Sequence, residues 1–558
     1  MSLEWLGPDL IEVGVHIADV CAFVAHKSAL DLEARQRGTT IYLPHERYNM
    51  LPSLLSSDIA SLHAHKDRLT MSVLWHVRVV ALESSKRGGV LPMDDILNLY
   101  TEGKLIFELP DTPEWIGRGV ICSTAAATYL QAHYLMHENA PFSQKKRGKE
   151  MEKEVPLGQA GRQIDRKHWS RLSSDLRCLT ALGMHLQKGR EAAGALDLSQ
   201  GSGAELKFAL DAEGAPVEVY GKEEMQIHKT ISELMVLANA TVAKFVFDFF
   251  PTSTLLRIHP PPSGDKLRLL HEEISQTGLE VFQQNASSTE MRQQLKIYRE
   301  LFARKKENQS DISSEAAIDL LTGVIIQSMN EARYVGSGAL SGDLVSSSGS
   351  LAESAAEGRL IGHYGLGLAF YTHFTSPIRR YADIMVHRQL LRALEATNTM
   401  SRMEDGNLKD IVSSVDAMNE QVEGGSEREE GNGEADVDND DDLDFLDSLL
   451  EDVEDGLVMS SSPTQKDESS LQAIRNEASF DAAPKEEKNG DKTGEEVVPY
   501  SAAELHTISE HLNTMNRRSK SAQFACQKLF LCLYFVGKSE IHEGLVHSLK
   551  ENGFWCLS

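Results

Sequence analysis

GHYGLGLAFYTHFTSPIRRYADIMVHRQLLRAL, residues 362–394, carries the densest chemistry in the chain. Thr375 or Ser376 is placed to cap a helix with Pro377 in its first turn, and the free N–H groups of such a start favour an anion. Arg379 and Arg380 would then stand in that first turn, where the helix dipole disfavours cations by about 0.3–1 kcal/mol. Two arrangements relieve the conflict. A bound phosphate would face the arginines, or Arg379 would pair with Asp383 and His387 along one face at i, i+4 spacing. Spacing alone does not separate them.

Upstream, IHKTISELMVLANATVAKFVFDFF (227–250) places Ile227, Ile231, Leu234, Met235, Ala238, Val242 and Phe245 on one face, which predicts a long, largely buried helix. Glu233 falls near that face, where a carboxylate is costly without a partner. LLRIHPPP (255–262) reads as a strand stopped by prolines, and 264–335 as predominantly helical. The run 204–221 predicts a β-hairpin turning at Asp211–Gly214. Residues 10–25 and 68–82 cluster β-branched side chains as buried strands do. His16 and Asp19, in VHIADV, read as structural residues rather than metal ligands.

Downstream, helix is predicted again at 502–533, Leu529–Val536 as a buried helix or strand, and the last residues as two strands about a turn at Glu551. Residues 144–154 read as a charged surface excursion and 337–357, by Gly/Ser content, as a flexible linker. From 401 to 498 the chain is acidic and poor in core residues, hence disordered. Its LDFLDSLL patch suits at most a transient amphipathic helix. Between Glu420 and Glu496 there are 26 acidic and 6 basic residues, a net −20 of the chain's −27. Only −7 is left for the rest, so the bulk charge does not exclude a polyanionic partner.

At 558 residues with 41% hydrophobic content the chain can build a sizeable core. Its six cysteines show no CxxC pair, so neither a disulfide framework nor a zinc site is expected, and a reducing compartment fits. No stretch approaches the roughly 18 consecutive apolar residues of a membrane helix, and no disulfide-linked or membrane partner is expected.

Residues 375–388 follow Thr-Ser-Pro-Ile-Arg-Arg-Tyr-x-Asp-x-x-x-His-Arg, which resembles the signature of the ribonuclease II (RNB) family of 3′-to-5′ exoribonucleases. EVGVHIADVCAFV with the block after it, the 227–262 segment and SKSAQFACQKLFLCLYF are similar to further family blocks in the same order. The resemblance implies a mixed α/β RNB catalytic domain with a central RNA channel. It assigns 1–400 to the RNB core, 401–498 to an acidic insert, 499–540 to the closing helix and 541–558 to the start of a truncated C-terminal OB-fold barrel. It also implies single-stranded RNA as substrate, nucleoside 5′-monophosphates as product, and two Mg2+ ions on an aspartate cluster. LLRIHPPP and Ser232, where many relatives carry glutamate, lean toward the exosome-associated eukaryotic branch. That branch implies the exosome core as partner and a cytoplasmic location, with the nucleus second.

Carried over by position, Arg379 is the arginine that clamps the scissile phosphate, with Arg380 beside it on the RNA. Tyr42 matches an aromatic that stacks on a base near the 3′ end, and Tyr129 one that contacts nucleotides farther along. Read without the family, both tyrosines are core or turn residues. One element departs: the metal-binding aspartates should lie roughly twenty residues before GVHIADV, and the thirteen residues before Gly14 offer only Asp9. The expectation is a piece of a longer nuclease, the alternative a nuclease without its metal site that still grips RNA or docks on the exosome. A third reading is an acidic scaffold centred on 420–496. That tract could also mimic RNA and compete for the channel.

Overall fold

The computed structural model describes residues 1–81, 95–137, 164, 166–196, 206–221, 225–275, 288–305, 322–323, 325–326, 328–344, 362–397, 500–538, 545–550 and 553–557. Strands β1 (Ser2–Trp5) and β2 (Leu10–Ala18) form an antiparallel pair, followed by helix α1 (Ala29–Arg37) and the short strands β3 (Ile41–Tyr42) and β4 (Arg47–Tyr48). Long strand β5 (Asp67–Ala81) is the axis of the main sheet: it pairs antiparallel with β2 and with both strands that follow helix α2 (Ile96–Thr101), β6 (Leu105–Glu108) and β7 (Trp115–Cys122). Met71, Val73, Trp75, Val77 and Val79 are all buried, whereas Arg78 is exposed, the two-residue period of a sheet with one face in the core. The first third is therefore sheet, as its β-branched runs predict.

Helices α3 (Tyr129–His137) and α4 (Trp169–Ala192) lead to the hairpin of β8 (Leu206–Leu210) and β9 (Pro216–Gly221). Its turn is held by Asp211, whose Oδ1 accepts from the Glu213 and Ala215 N–H groups, with Gly214 at φ +80°. Helix α5 (Gln226–Phe249) follows, with Leu234, Val242 and Val246 fully buried. Burying side chains of this size stabilises by about 1.5–3 kcal/mol each. By length and mean hydropathy α5 alone among the described helices could cross a membrane, although its longest unbroken apolar run is only Leu234–Ala238. Here it is a central core helix packed on α4, and Glu233 has the partner its position demands. Arg190 donates to both carboxylate oxygens, at 2.7 and 2.5 Å.

Strand β10 (Leu255–Ile258) precedes helices α6 (Gly264–Ser275) and α7 (Ser288–Lys305), then pairs antiparallel with β11 (Arg333–Gly336). The segment after β11 corrects the linker reading, because Ser337–Leu344 is a helix, α8. Ser337 exchanges bonds with Thr254 through backbone and side chain. A Cβ on Gly338 would lie 2.4 Å from the Thr252 carbonyl oxygen, so that glycine serves a close approach rather than flexibility. The rest of that linker, the 144–154 excursion and the acidic insert lie outside the described residues.

Helix α9 (Tyr381–Ala396) is buried along most of its length, and helix α10 (Ala502–Phe535) closes the core through Leu505, Ile508 and Leu512. The far end of α10 differs from expectation. Phe530 is buried, but Leu529, Leu533 and Val536 are exposed. Strands β12 (Leu545–Lys550) and β13 (Gly553–Leu557) form the two-stranded unit expected of the last residues. A single hairpin does not establish an OB barrel.

Candidate functional site

The signature segment is fastened before it reaches its arginines. Asn239, fully buried on α5, accepts from the Phe374 N–H at 2.9 Å and donates to the Tyr371 hydroxyl at 3.2 Å. The Thr372 hydroxyl donates to the Leu255 carbonyl at 2.7 Å. His387 and Phe374 are joined at 2.8 Å between Nε2 and the carbonyl oxygen, which makes Nε2 the protonated nitrogen.

Residues 376–380 then form a turn, not the first turn of a helix. The Arg379 and Arg380 N–H groups both donate to the Ser376 carbonyl, and α9 begins only at Tyr381, with Arg380 as an extended N-cap residue. This corrects the predicted start, and the cause is Asp383. Its carboxylate, at 0% exposure, accepts from the Ser376 N–H at 2.6 Å and takes both Nε and Nη2 of Arg380, at 2.9 and 3.0 Å. The first-turn anion is thus the protein's own, and the pairing runs from Arg380 at i, i+3 rather than from Arg379 at i, i+4. Burial alone would raise the Asp383 carboxyl. Arg380 more than offsets this and holds it below the usual carboxylate range.

The outer edge of the turn is held by a segment more than 300 residues away in sequence. The Thr40 N–H donates to the Arg379 carbonyl and the Tyr381 N–H to the Gly38 carbonyl, both at 2.9 Å. Gly38 (φ +73°) ends α1, and a Cβ there would meet Met515 of α10 at 2.9 Å. Two residues beyond Thr40, half-buried Tyr42 lies in β3, opposite Arg47 of β4. The fold therefore docks the Tyr42 hairpin beside the Arg379 turn. One turn further along α9, Arg388 reaches Asp31, Val24, Tyr381 and Tyr500, tying α1, α9 and the start of α10 together.

Arg379 is partly exposed, its Nη2 donating to the Ser376 hydroxyl at 3.3 Å. Arg380 is 3% exposed and faces inward on Asp383. Tyr129 begins α3 in a different cluster, with Ala132, Met136 and Ile227, its ring 4.5 Å from that of His228. His16 in β2 bonds Ser2 and Ser72, a structural part as expected. Sequence reasoning missed Asp383 as the organiser of the turn and the Gly38–Thr40 dock. The first had a local signal, an aspartate three residues after Arg380; the second had none.

Asp9, the one aspartate ahead of Gly14, is exposed. Among the described residues, the convergent group of three or more His, Cys, Asp or Glu donors is Asp19, Cys21 and His387. Magnesium wants a set of oxygen ligands, so a thiol and an imidazole do not suit it. The described residues do not fit the family's magnesium site.

Fold and site together define a mixed α+β domain built around an arginine-bearing turn, locked from within by a buried carboxylate and from without by a distant segment. Residues 1–396 match the RNB domain, and the chain belongs to that family. It is 34% identical over 396 residues to DIS3-like exonuclease 2 of Xenopus tropicalis, covering 71% of this chain and 39% of that protein. It is 30% identical over 396 residues to human exosome complex exonuclease RRP44, covering 71% and 32%. The apo form of Mycoplasma genitalium RNase R superimposes with a TM-score of 0.57 at 17% identity, over 99% of this chain and 58% of that one. That likeness concerns the fold alone. The chain spans about a third to two-fifths of the length of these two curated relatives. Both are exonucleases by name.

Proposed function

We propose that this chain is the RNA-gripping and catalytic-arginine part of a hydrolytic 3′-to-5′ exoribonuclease that shortens single-stranded RNA to nucleoside 5′-monophosphates. The observation that carries the proposal is the Arg379 turn. A cation placed against the charge that develops on a phosphate in the transition state lowers the barrier most when its position is set beforehand. Asp383, Arg380 and the Gly38–Thr40 segment set that position. Arg379 holds the scissile phosphate, and Tyr42 stacks on a terminal base, a contact that tolerates any sequence. Tyr129, offered as a contact farther along by its place in the match, is buried and acts in this reading by packing α3 on α5. Arg380, offered as an RNA contact by its place in the signature, acts in this reading by holding the turn.

In each cycle water adds to the phosphorus and the 3′ oxygen of the preceding nucleotide leaves. Magnesium is the ion this reading expects, on carboxylates the described residues do not supply. RRP44 is an exosome complex exonuclease by name, which supports an exosome-related role in RNA decay.

The test is 5′-labelled single-stranded RNA incubated with magnesium and the chain. A ladder of shortened products that disappears in Arg379→Ala supports the enzyme. RNA binding without shortening, weakened in Arg379→Ala, would keep the RNA-gripping part of the proposal and leave the cutting to carboxylates outside the described residues; neither binding nor shortening would remove the proposal.

A further inference from the structure

Behind the Arg379 turn, the loop after β2 meets the second turn of α9, and three side chains there are arranged in a way the Arg379 chemistry does not use. Asp19 (2% exposed), Cys21 and His387 (0% exposed) bring one carboxylate oxygen, one sulfur and one ring nitrogen within 4.8 Å of one another. Two of the three have divided their polar atoms. Arg118 Nε lies 2.6 Å from Asp19 Oδ2, while Asp19 Oδ1 is buried without a hydrogen-bond partner. His387 gives Nε2 to the Phe374 carbonyl, while its Nδ1 is likewise buried without a partner. A buried polar atom left unpaired costs about 1–3 kcal/mol, so two of them in one cluster call for an occupant.

The tautomer decides its chemistry. With Nε2–H donating to a carbonyl, Nδ1 presents a lone pair, the state in which histidine binds metals. A backbone carbonyl on the far nitrogen is the usual outer partner of such a ligand. Arg118 orients Asp19 in the same manner. Cys21 Sγ, now 3.4 Å from the Ile384 carbonyl on the same face of α9, supplies a soft donor. Carboxylate, thiolate and imidazole together suit a zinc-class divalent cation rather than magnesium or calcium. Ligands at about 2.0–2.3 Å from such an ion lie roughly 3.3–3.8 Å apart in a tetrahedron. Side-chain adjustment of about 1 Å from the present limit would reach that spacing.

We propose that Asp19, Cys21 and His387 form a site for one zinc-class cation that pins the loop after β2 to α9. Asp19 Oδ1 and His387 Nδ1 each donate a lone pair, the Cys21 thiol releases its proton to solvent as sulfur binds, and water takes the fourth position. Nothing is oxidised or reduced. The site does not depend on the exoribonuclease reading and is tested without RNA.

The full chain, stripped with chelator, is dialysed against Zn2+ alone and its metal content measured, with Co2+ as spectroscopic probe. One equivalent of zinc and a thiolate-to-cobalt charge-transfer band are expected. Cys21→Ser, at a half-buried position, should remove the band and weaken zinc binding at least tenfold. His387→Gln should weaken it comparably if that variant folds by circular dichroism. Zinc should also raise the thermal midpoint of the parent chain but not of Cys21→Ser. Uptake well below one equivalent would mean that a buried water satisfies the two unpaired atoms. Uptake or a thiolate band unchanged in Cys21→Ser would mean the ion sits elsewhere. Either result overturns the proposal.

Discussion

Replacing Asp383 by alanine tests whether the arginine turn is built as described. The substitution removes the acceptor of the Ser376 N–H and both acceptors of Arg380, whose guanidinium is 3% exposed. The dominant cost is a buried charge that loses its carboxylate, about 3–5 kcal/mol, which already includes much of the lost hydrogen bonding. The assay is urea unfolding followed by far-UV circular dichroism, with the midpoint falling at unchanged slope. The double variant Arg380→Met, Asp383→Leu removes both charges in similar volume. It should recover part of the loss, the Ser376 N–H having lost its Asp383 acceptor at about 1–3 kcal/mol. A loss below about 1 kcal/mol in Asp383→Ala, or a double variant no more stable than the single, would refute the reasoning.

Gly338→Ala forces a Cβ to within 2.4 Å of the Thr252 carbonyl and should cost about 1–3 kcal/mol by the same assay, whereas a flexible linker would tolerate it. Acid should weaken the fold in two stages. Burial, then the charges of Arg380 and Arg257, holds the His373 imidazole well below its usual range. The unfolded chain therefore takes up that proton first. The His373 contribution is full above about pH 6.5 and is lost as pH falls below it, and that of Asp383 follows below about pH 4. Urea midpoints between about pH 8 and 2 check the order, and His373→Asn should make the upper stage shallower. Tyr42→Ala should weaken single-stranded RNA binding by about 1–3 kcal/mol while Tyr42→Phe retains it, as equilibrium binding to a labelled oligonucleotide would show.

What was legible in the sequence was whatever depended on periodicity. The alternation of β5, the hairpin about Asp211 and the apolar face of α5 each state their partner surface in their own residues, and Glu233 on that face announced a partner without naming Arg190. The turn at 376–380 reads as helix in the sequence because its caps look like helix caps. What delays the helix to Tyr381 is Asp383 reaching back to Ser376, together with backbone bonds from Gly38 and Thr40 that no local pattern encodes. Composition failed at 337–344 for a related reason: glycine and serine there are small so that α8 can lie against Thr252 and Thr254, and content alone does not separate closeness from looseness. In the candidate site, the signature supplied Arg379 and the block around Tyr42. That they sit side by side is a property of the fold.

The central claim, that the locked turn presents Arg379 to an RNA phosphate, is tested most directly by the salt dependence of RNA affinity. Binding of a single-stranded oligonucleotide with a free 3′ end is measured across salt concentrations for the parent chain and for Arg379→Ala. Loss of one phosphate contact should weaken binding and reduce the slope of log affinity against log salt by about 0.7, with the urea midpoint unchanged. An unchanged affinity and slope would contradict the account.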